Sequence, residues 1–221
     1  MKKAVIFDLD GTLVDSTSSG FTQLKGILAV RGIPCTPEHE LQLMENWGMA
    51  TKELLIGSLG LDAAVAAEIS DEWEQVGSPP PLISGFEETL NYLDSQEIFS
   101  CVMTSRKRPH GRDVLKHDEC ADRFAFIEEL GGKEFMKPDA RAFLQTLWFL
   151  KSTLNITREE CLYVGDTIID YRCGTAAGIE TILVLTGACS FDTALERQIH
   201  PSKIINSIRD LPEWMDIYTP R

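Results

Sequence analysis

The chain has 221 residues, 43% of them hydrophobic, so it can bury one substantial core and a small accessory domain. Its formal net charge of −13 at pH 7 argues against nucleic acid as the main partner, because binding a phosphate backbone requires a basic surface. The sequence contains no apolar run of about 18 residues and no signal-peptide pattern, so we expect a cytoplasmic protein that does not interact with membranes.

An apolar run that leads into a cluster of carboxylates begins the chain. Residues 4–7 are all apolar, and Asp8, Asp10 and Gly11 follow them. Such a run suits a strand buried on both faces of a parallel sheet, and Gly11 permits the turn that follows. The two carboxylates would then lie at the carboxyl end of the strand, where open α/β sheets bind ligands, and could share a Mg²⁺ ion. Because Asp is also common in turns, the pair alone leaves a purely local role open.

The segment from 15 to 82 has a helical pattern. An apolar stripe that ends near Gly32 predicts the first helix, and further helices are predicted around 37–46, 50–58 and 62–76. The members of the stripe are Phe21, Leu24, Ile27 and Leu28. The run Ser78-Pro79-Pro80-Pro81 predicts a stiff return connection. We therefore expect an all-helical domain at 15–82, inserted after the first strand.

Strands and helices alternate in the rest of the chain. A helix is predicted from 86 to about 96, and the strands are predicted near 98–104, 124–127, 160–165, 181–185 and 203–205. This alternation predicts an α/β fold with a doubly wound, mainly parallel, Rossmann-like sheet. The corresponding core domain would comprise residues 1–14 and 83–221.

A second acidic cluster follows the apolar run 161–165. Asp166 and Asp170 are four residues apart, so in the first turn of a helix they would face the same way and could share a cation with Asp8. We expect this helix to continue to Ala177 and to end at Gly178. Acidic residues also suit the positive end of a helix dipole, so a simple helix-start role is the alternative.

Two further segments complete a recognisable set. Thr104 and Ser105 end a predicted strand, and Lys137 precedes Pro138. In chain order, the set resembles the four signatures of the haloacid dehalogenase-like hydrolases, most of which transfer phosphoryl groups. The resemblance extends from Lys3 to about Asp210, and it implies that the helical insertion is a small cap domain.

The resemblance implies a catalytic role for four residues. Asp8 would attack phosphorus to form an aspartyl-phosphate, and Asp10 would protonate the leaving group and then activate water. Thr104 would hydrogen-bond the phosphate, and Lys137 would neutralise charge near the nucleophile.

The resemblance also implies a Mg²⁺ cofactor and a phosphate site. Mg²⁺ would be held by the side chains of Asp8, Asp166 and Asp170, the last directly or through water, and by the backbone carbonyl of Asp10. The backbone amides of Leu9, Asp10 and Ser105 would bind the phosphate or stabilise the transition state.

Substrate selection would fall to the cap and to one core residue. Trp47 and Lys52 lie in the segment that joins two predicted cap helices, where the family has its specificity loop, although such residues more often serve packing or solvation. Arg106, directly after Ser105, could also reach an anionic substrate. The expected partner is a small phosphorylated metabolite, and the sequence leaves the oligomeric state open.

We therefore expect Mg²⁺-dependent hydrolysis of a small phosphate monoester, with an activity similar to that of phosphoglycolate phosphatases. The main alternative is a β-phosphoglucomutase-like isomerase, which would use the same core but return the phosphoryl group to a sugar. A phosphonate hydrolase and a non-catalytic phosphate-binding module fit the sequence less well.

Overall fold

A single parallel sheet organises the structure. The computed structural model describes residues 1–47, 49–75, 79–117 and 119–219. Within them, the strands of the sheet are β1 (Ala4–Phe7), β2 (Phe99–Lys107), β3 (Phe126–Gly131), β4 (Cys161–Gly165), β5 (Glu180–Val184) and β6 (Ile204–Ile205). All neighbours are parallel and their order is β3-β2-β1-β4-β5-β6. The chain changes direction across the sheet between β1 and β4, and ligands bind at such a switch point.

The insertion between β1 and β2 is helical in the described residues. Its helices are α1 (Ser16–Val30), α2 (Pro37–Glu45), α3 (Thr51–Leu59) and α4 (Ala63–Gln75). They enclose a hydrophobic cluster of their own, to which Leu24, Leu43, Leu55 and Ile69 contribute fully buried side chains. Val76 of the predicted last helix and Ser78 of the predicted return connection lie outside the described residues.

The two segments that link this insertion to the sheet lie side by side. The backbone N–H of Asp15 donates to the carbonyl of Pro81 at 2.8 Å, and that of Ile83 donates to the carbonyl of Leu13 at 2.9 Å. The insertion therefore leaves and re-enters the core at one place, directly beyond the end of β1.

Helices cover both faces of the sheet. They are α5 (Phe86–Ser95), α6 (His110–His117), α7 (Leu144–Leu154), α8 (Ile168–Ala176), α9 (Phe191–Glu196) and α10 (Leu211–Tyr218). Alternate residues of β1 face opposite cores: Val5 and Phe7 pack into one cluster, and Ala4 and Ile6 into the other. This arrangement confirms the predicted α/β class. None of the helices in the described ranges is long and apolar enough to cross a membrane.

Two predicted strand boundaries are wrong at their carboxyl ends. β2 continues past Thr104 to Lys107 with an irregular register, and β3 runs to Gly131 rather than ending at 127. The β3 extension contains Glu128 and Glu129, whose polarity indicates a loop. Both are buried nevertheless, because Glu128 pairs with Lys133 and Glu129 accepts a hydrogen bond from a backbone amide of α6.

Candidate active site

A cleft of about 1110 Å³ lies between the carboxyl end of the sheet and the inserted helices. Its core wall includes Asp8, Lys137 and Asp166, and its opposite wall includes Trp47 and Lys52. The predicted catalytic residues, which are far apart in sequence, therefore meet in one place. The parallel sheet explains this, since strands that run in the same direction end at the same edge.

Lys137 connects two carboxylates at the base of the cleft. Its Nζ lies 2.7 Å from Oδ1 of Asp8 and 2.7 Å from Oδ1 of Asp170, and its side chain is only 3% exposed. Burial lowers the pKa of Lys137, but the charges of Asp170 and Asp8 outweigh burial and hold its pKa above the ordinary value. Lys137 is thus a permanent cation beside the candidate nucleophile.

Asp8 has the electrostatic environment of a strongly desolvated carboxyl. Burial raises the pKa of Asp8 to about 7, and the neighbouring charges of Asp170 and Asp10 act in the same direction, against the lowering effect of Lys137. For Asp170, burial also raises the pKa, but the charge of Lys137 and hydrogen bonds from Lys137, Thr167 and Tyr163 bring it below the usual range. The positive charge of Lys137 alone therefore does not neutralise the negative charges of Asp8 and Asp170.

Asp166 completes a group of three buried carboxylates. Asp8, Asp166 and Asp170 each place an oxygen within 4.8 Å of the other two. Asp166 accepts a hydrogen bond from the backbone N–H of Ala188 at 3.2 Å, but it forms no ion pair within the described residues. Burial and the charges of Asp170 and Asp8 raise its pKa well above the usual range. An all-oxygen donor set with this excess of negative charge fits a hard divalent cation such as Mg²⁺.

The prediction that Asp166 belongs to the first turn of a helix is wrong. α8 begins at Ile168, and Thr167 is its N-cap: the Thr167 hydroxyl accepts a hydrogen bond from the backbone N–H of Asp170 at 3.1 Å. The Asp170 side chain in turn accepts from the backbone N–H of Thr167, which completes a capping box. The carboxylates of Asp166 and Asp170 lie close together because of the capped turn that precedes α8. Their four-residue spacing along a helix is not the reason, since Asp166 lies outside the helix.

Asp10 is paired with Arg106. Nε of Arg106 donates to Oδ2 of Asp10 at 2.8 Å, and Nη2 donates to Oδ1 at 2.6 Å. Burial raises the pKa of Asp10, but the charge and hydrogen bonds of Arg106 outweigh burial, so its pKa lies below the ordinary value. The three-carboxylate group does not include the side chain of Asp10.

The predicted phosphate-binding residues lie directly after β1 and in the carboxyl-terminal part of β2, the strand that pairs with β1. The Thr104 side chain is fully buried, and its hydroxyl accepts a hydrogen bond from the backbone N–H of Arg106 at 3.2 Å. Ser105 lines the cleft. The backbone amides of Leu9 and Asp10 donate to no protein acceptor within the described ranges. Unpaired amides at the end of a strand are suitable donors for a bound oxyanion.

The two predicted cap contacts differ in their surroundings. Trp47 is 8% exposed and makes edge-to-face contacts with Phe21 at 5.9 Å and Trp73 at 5.6 Å between ring centroids. Trp47 is therefore part of the hydrophobic cluster of the inserted helices as well as of the cleft wall. Lys52 lies in the first turn of α3, lines the cleft, and has no ion pair in the part of the chain that the structure describes.

Sequence reasoning missed two kinds of supporting contact. The Tyr163 hydroxyl donates to Oδ1 of Asp170 at 2.6 Å, although Tyr163 reads as an ordinary residue of a buried strand. Gly11 and Gly187 each approach Asp166 so closely that an added Cβ would lie 2.4 Å and 1.7 Å from its Oδ2. The hydroxyl-bearing ring of Tyr163 within an otherwise apolar strand could have indicated its contact with Asp170. The sequence around Gly187 has no feature that indicates its contact with Asp166.

Comparison with known proteins places this site in a family. Residues 5–184 match the family model described as haloacid dehalogenase-like hydrolase. The match spans most of the chain, which therefore belongs to the haloacid dehalogenase-like hydrolases and is an enzyme of that family.

Individual relatives are similar over most of their length. The chain is 25% identical over 190 residues to a phosphoglycolate phosphatase of Xanthomonas campestris, covering 84% of both proteins. It is 23% identical over 190 residues to an N-acetylmuramic acid 6-phosphate phosphatase of Pseudomonas putida, covering 84% of this chain and 83% of that protein. The crystal structure of β-phosphoglucomutase from Clostridium difficile shares its fold, with a TM-score of 0.71 at 18% identity and full coverage of both chains.

Proposed function

We propose that this enzyme is a Mg²⁺-dependent phosphatase that hydrolyses a small phosphate monoester through an aspartyl-phosphate on Asp8. The observation that carries the proposal is the arrangement around Asp8, whose carboxylate lies 2.7 Å from the buried Lys137 and within 4.8 Å of oxygens of Asp166 and Asp170. The similarity to phosphatases that act on small phosphorylated metabolites supports the same conclusion.

In the first half of the reaction, an oxygen of Asp8 would attack phosphorus and the bond from phosphorus to the leaving-group oxygen would break. Asp10 would deliver a proton to that oxygen. Lys137 would offset the negative charge shared by Asp8 and the phosphate, while the Thr104 hydroxyl and the amides of Leu9 and Ser105 would hold the phosphate oxygens.

In the second half, Asp10 would take a proton from a water molecule whose oxygen attacks phosphorus. The bond between phosphorus and Asp8 would break, releasing inorganic phosphate and restoring Asp8 as a carboxylate and Asp10 in the protonated form that the next turnover needs. Asp8, Asp166 and Asp170, together with the backbone carbonyl of Asp10, would hold Mg²⁺. The ion would withdraw charge from the phosphate oxygens and offset the repulsion between a dianionic substrate and a carboxylate nucleophile.

We propose that residues 15–82 form a cap domain over a core composed of residues 1–14 and 83–221. Its separate hydrophobic cluster and the adjacent linking segments support this division. A cap over the cleft would exclude water and offer Trp47 and Lys52 to the part of the substrate beyond the phosphate.

Phosphate release tests the function directly. The panel would contain phosphoglycolate, hexose phosphates, nucleotides, pyrophosphate and a phosphonate, each with Mg²⁺ or with a chelator. We expect Mg²⁺-dependent release from at least one small monoester. Conversion of β-glucose 1-phosphate to glucose 6-phosphate without net phosphate release would favour the phosphomutase alternative instead.

The variant Asp8→Asn tests the nucleophile. We expect turnover to fall by more than about a thousandfold while the circular dichroism spectrum is unchanged, because the amide cannot attack phosphorus. The exposed Asp192→Asn is the matched control and should retain full activity. In the wild type, acid quenching during turnover followed by borohydride reduction should convert residue 8 to homoserine, detectable by mass spectrometry. Full activity of Asp8→Asn would remove Asp8 as the nucleophile.

A further inference from the structure

The pairing of Arg106 with Asp10 obstructs the proton transfer assigned to Asp10. Both carboxylate oxygens of Asp10 are engaged, one by Nε and the other by Nη2 of Arg106. Bidentate pairs of this kind are among the strongest hydrogen-bonded contacts in proteins. In this arrangement the oxygens of Asp10 face a guanidinium rather than the oxygen of a leaving group.

Arg106 is held at the edge of the phosphate site by its main chain. Its backbone N–H donates to the buried hydroxyl of Thr104 at 3.2 Å, where the register between β2 and β3 becomes irregular. Its side chain is 30% exposed and lines the cleft. The guanidinium can therefore exchange one partner for another in the cleft while its backbone stays in place.

We propose that a second anionic group of the substrate, a carboxylate or a further phosphate, binds Arg106 and thereby releases Asp10 to face the leaving group. The inference rests on the proposed phosphatase function and specifies its substrate class: phosphate monoesters whose leaving group is itself anionic. Arg106 is then a specificity-determining residue that acts on catalysis through Asp10.

The exchange of partners distinguishes anionic from neutral substrates, because a neutral leaving group has no anionic group that could bind Arg106. The guanidinium fork fits carboxylate and phosphate equally well, so an anionic leaving group replaces the contact with Asp10 by an equivalent one. With a neutral leaving group, the bidentate contact with Asp10 would be lost with no equivalent contact to replace it. The difference between anionic and neutral substrates therefore arises in the chemical step, and it affects kcat more than KM.

The opposite wall of the cleft supplies a second cation. Lys52 lines the cleft from the inserted helices and forms no ion pair within the described residues. A lysine so placed in a protein of net charge −13 favours an anionic group on the part of the substrate that is distant from the phosphate. Lys52 and Arg106 would approach that group from the two walls.

The test uses pairs of substrates that differ only in the second charge. Phosphoglycolate is compared with 2-hydroxyethyl phosphate, and propane-1,3-diol bisphosphate with its monophosphate, so a carboxylate and a phosphate are assayed separately. The proteins are the wild type, Arg106→Gln, Arg106→Lys and the control Arg108→Gln. Arg108 lies two residues further along the chain, just beyond the end of β2, but its side chain is 87% exposed and it does not line the cleft.

For the wild type, we expect kcat to favour the anionic member of at least one pair by about tenfold or more. Arg106→Gln should bring this ratio close to one, slowing the anionic member and accelerating the neutral one. Arg106→Lys should retain part of the preference, since it keeps the charge but not the fork. Arg108→Gln should keep the wild-type ratio. Acetate should accelerate hydrolysis of 2-hydroxyethyl phosphate by the wild type but not by Arg106→Gln.

Two outcomes would overturn the inference, and they differ in scope. If Arg106→Gln slows both members of each pair equally and acetate has no effect, Arg106 has only a structural role, and the phosphatase proposal is unaffected. If the wild type hydrolyses no monoester at all, the proposed function fails and this inference fails with it.

Discussion

Gly187 and Gly11 fix the position of Asp166 by leaving no space around it. An added Cβ at Gly187 would lie 1.7 Å from Oδ2 of Asp166 and 2.6 Å from its Cβ, and one at Gly11 would lie 2.4 Å from Oδ2. Gly11 also has a φ of +72°, which other residues rarely adopt. The carboxylate is thus confined by backbone on two sides and by the amide of Ala188.

Gly187→Ala should therefore weaken metal binding. The new methyl group must displace the Asp166 carboxylate from Asp8 and Asp170, so we expect the Mg²⁺ concentration for half-maximal activity to rise about 10- to 100-fold. The measurement is phosphate release across a Mg²⁺ titration. Gly57→Ala is the control, because nothing lies within 4 Å of the position of its added Cβ. Unchanged Mg²⁺ dependence in Gly187→Ala would show that the position of Asp166 does not depend on this contact.

The sequence predicts which residues belong to the candidate site better than it predicts which of them contact one another. Asp8, Lys137 and Asp170 follow from signatures and their order, and the structure brings them together. The pairing of Asp10 with Arg106 could not be predicted, because it depends on where the irregular end of β2 directs a side chain. Roles such as that of Asp10 in proton transfer stay predictions until they are measured.

At the level of elements, the start of α8 shows why local pattern alone was insufficient. Asp166 and Thr167 are both good N-cap residues, so the sequence allows a helix to begin at either. Tertiary contacts decide between them: Asp166 is held by Ala188 and two glycines, which leaves Thr167 to cap the helix. The order of the strands is likewise set by packing of the whole sheet, whereas their parallel arrangement follows from the alternation of strands and helices.

The glycines of α3 allow a test of helix energetics in the proposed cap. Gly57 is exposed in the last turn of α3 and has open space around it, so Gly57→Ala should raise the free energy of unfolding by about 0.5–1 kcal/mol. Denaturant unfolding monitored by circular dichroism measures the change.

Gly60→Ala is the matched counterpart with the opposite expected sign. Gly60 also has open space around it, but it is the C-cap of α3 with a φ of +65°. Alanine there should lower the free energy of unfolding by about 1 kcal/mol, because the left-handed conformation is strained for residues with a Cβ. Equal effects of the two substitutions would show that the conformation of Gly60 differs from the one described.

Across the whole molecule, charge is distributed unevenly. The net charge is −13, yet Arg106, Lys107, Arg108 and Arg112 lie within the seven residues 106–112, at and beyond the carboxyl end of β2. Lys52 and Lys137 add positive charge to the cleft itself. Among the described residues, the four cationic side chains that line the cleft are those of Lys52, Arg106, Lys107 and Lys137. They are outnumbered by six carboxylates, those of Asp8, Asp10, Glu53, Asp113, Asp166 and Asp170. A bound divalent cation would therefore bring the charge of the cleft close to neutral and favour a small anionic substrate, while the acidic surface would repel polyanions.

The carboxylate cluster should link metal binding to the stability of the whole molecule. Asp8, Asp166 and Asp170 are buried with one lysine between them, and this arrangement exists only in the folded protein. Mg²⁺ at about 100 times its Kd should stabilise the native state by about 2.7 kcal/mol. For a chain of this size, that corresponds to a rise in Tm of roughly 5–10 °C.

Differential scanning calorimetry with Mg²⁺ and with a chelator measures this rise. Asp166→Asn removes one charge from the cluster and should abolish the rise, even if its own Tm without metal is higher because like charges no longer repel one another. The surface variant Arg108→Gln should keep the full rise. A rise of wild-type size in Asp166→Asn would mean that the stabilising Mg²⁺ binds elsewhere, and the assignment of the metal to these three carboxylates would have to be abandoned.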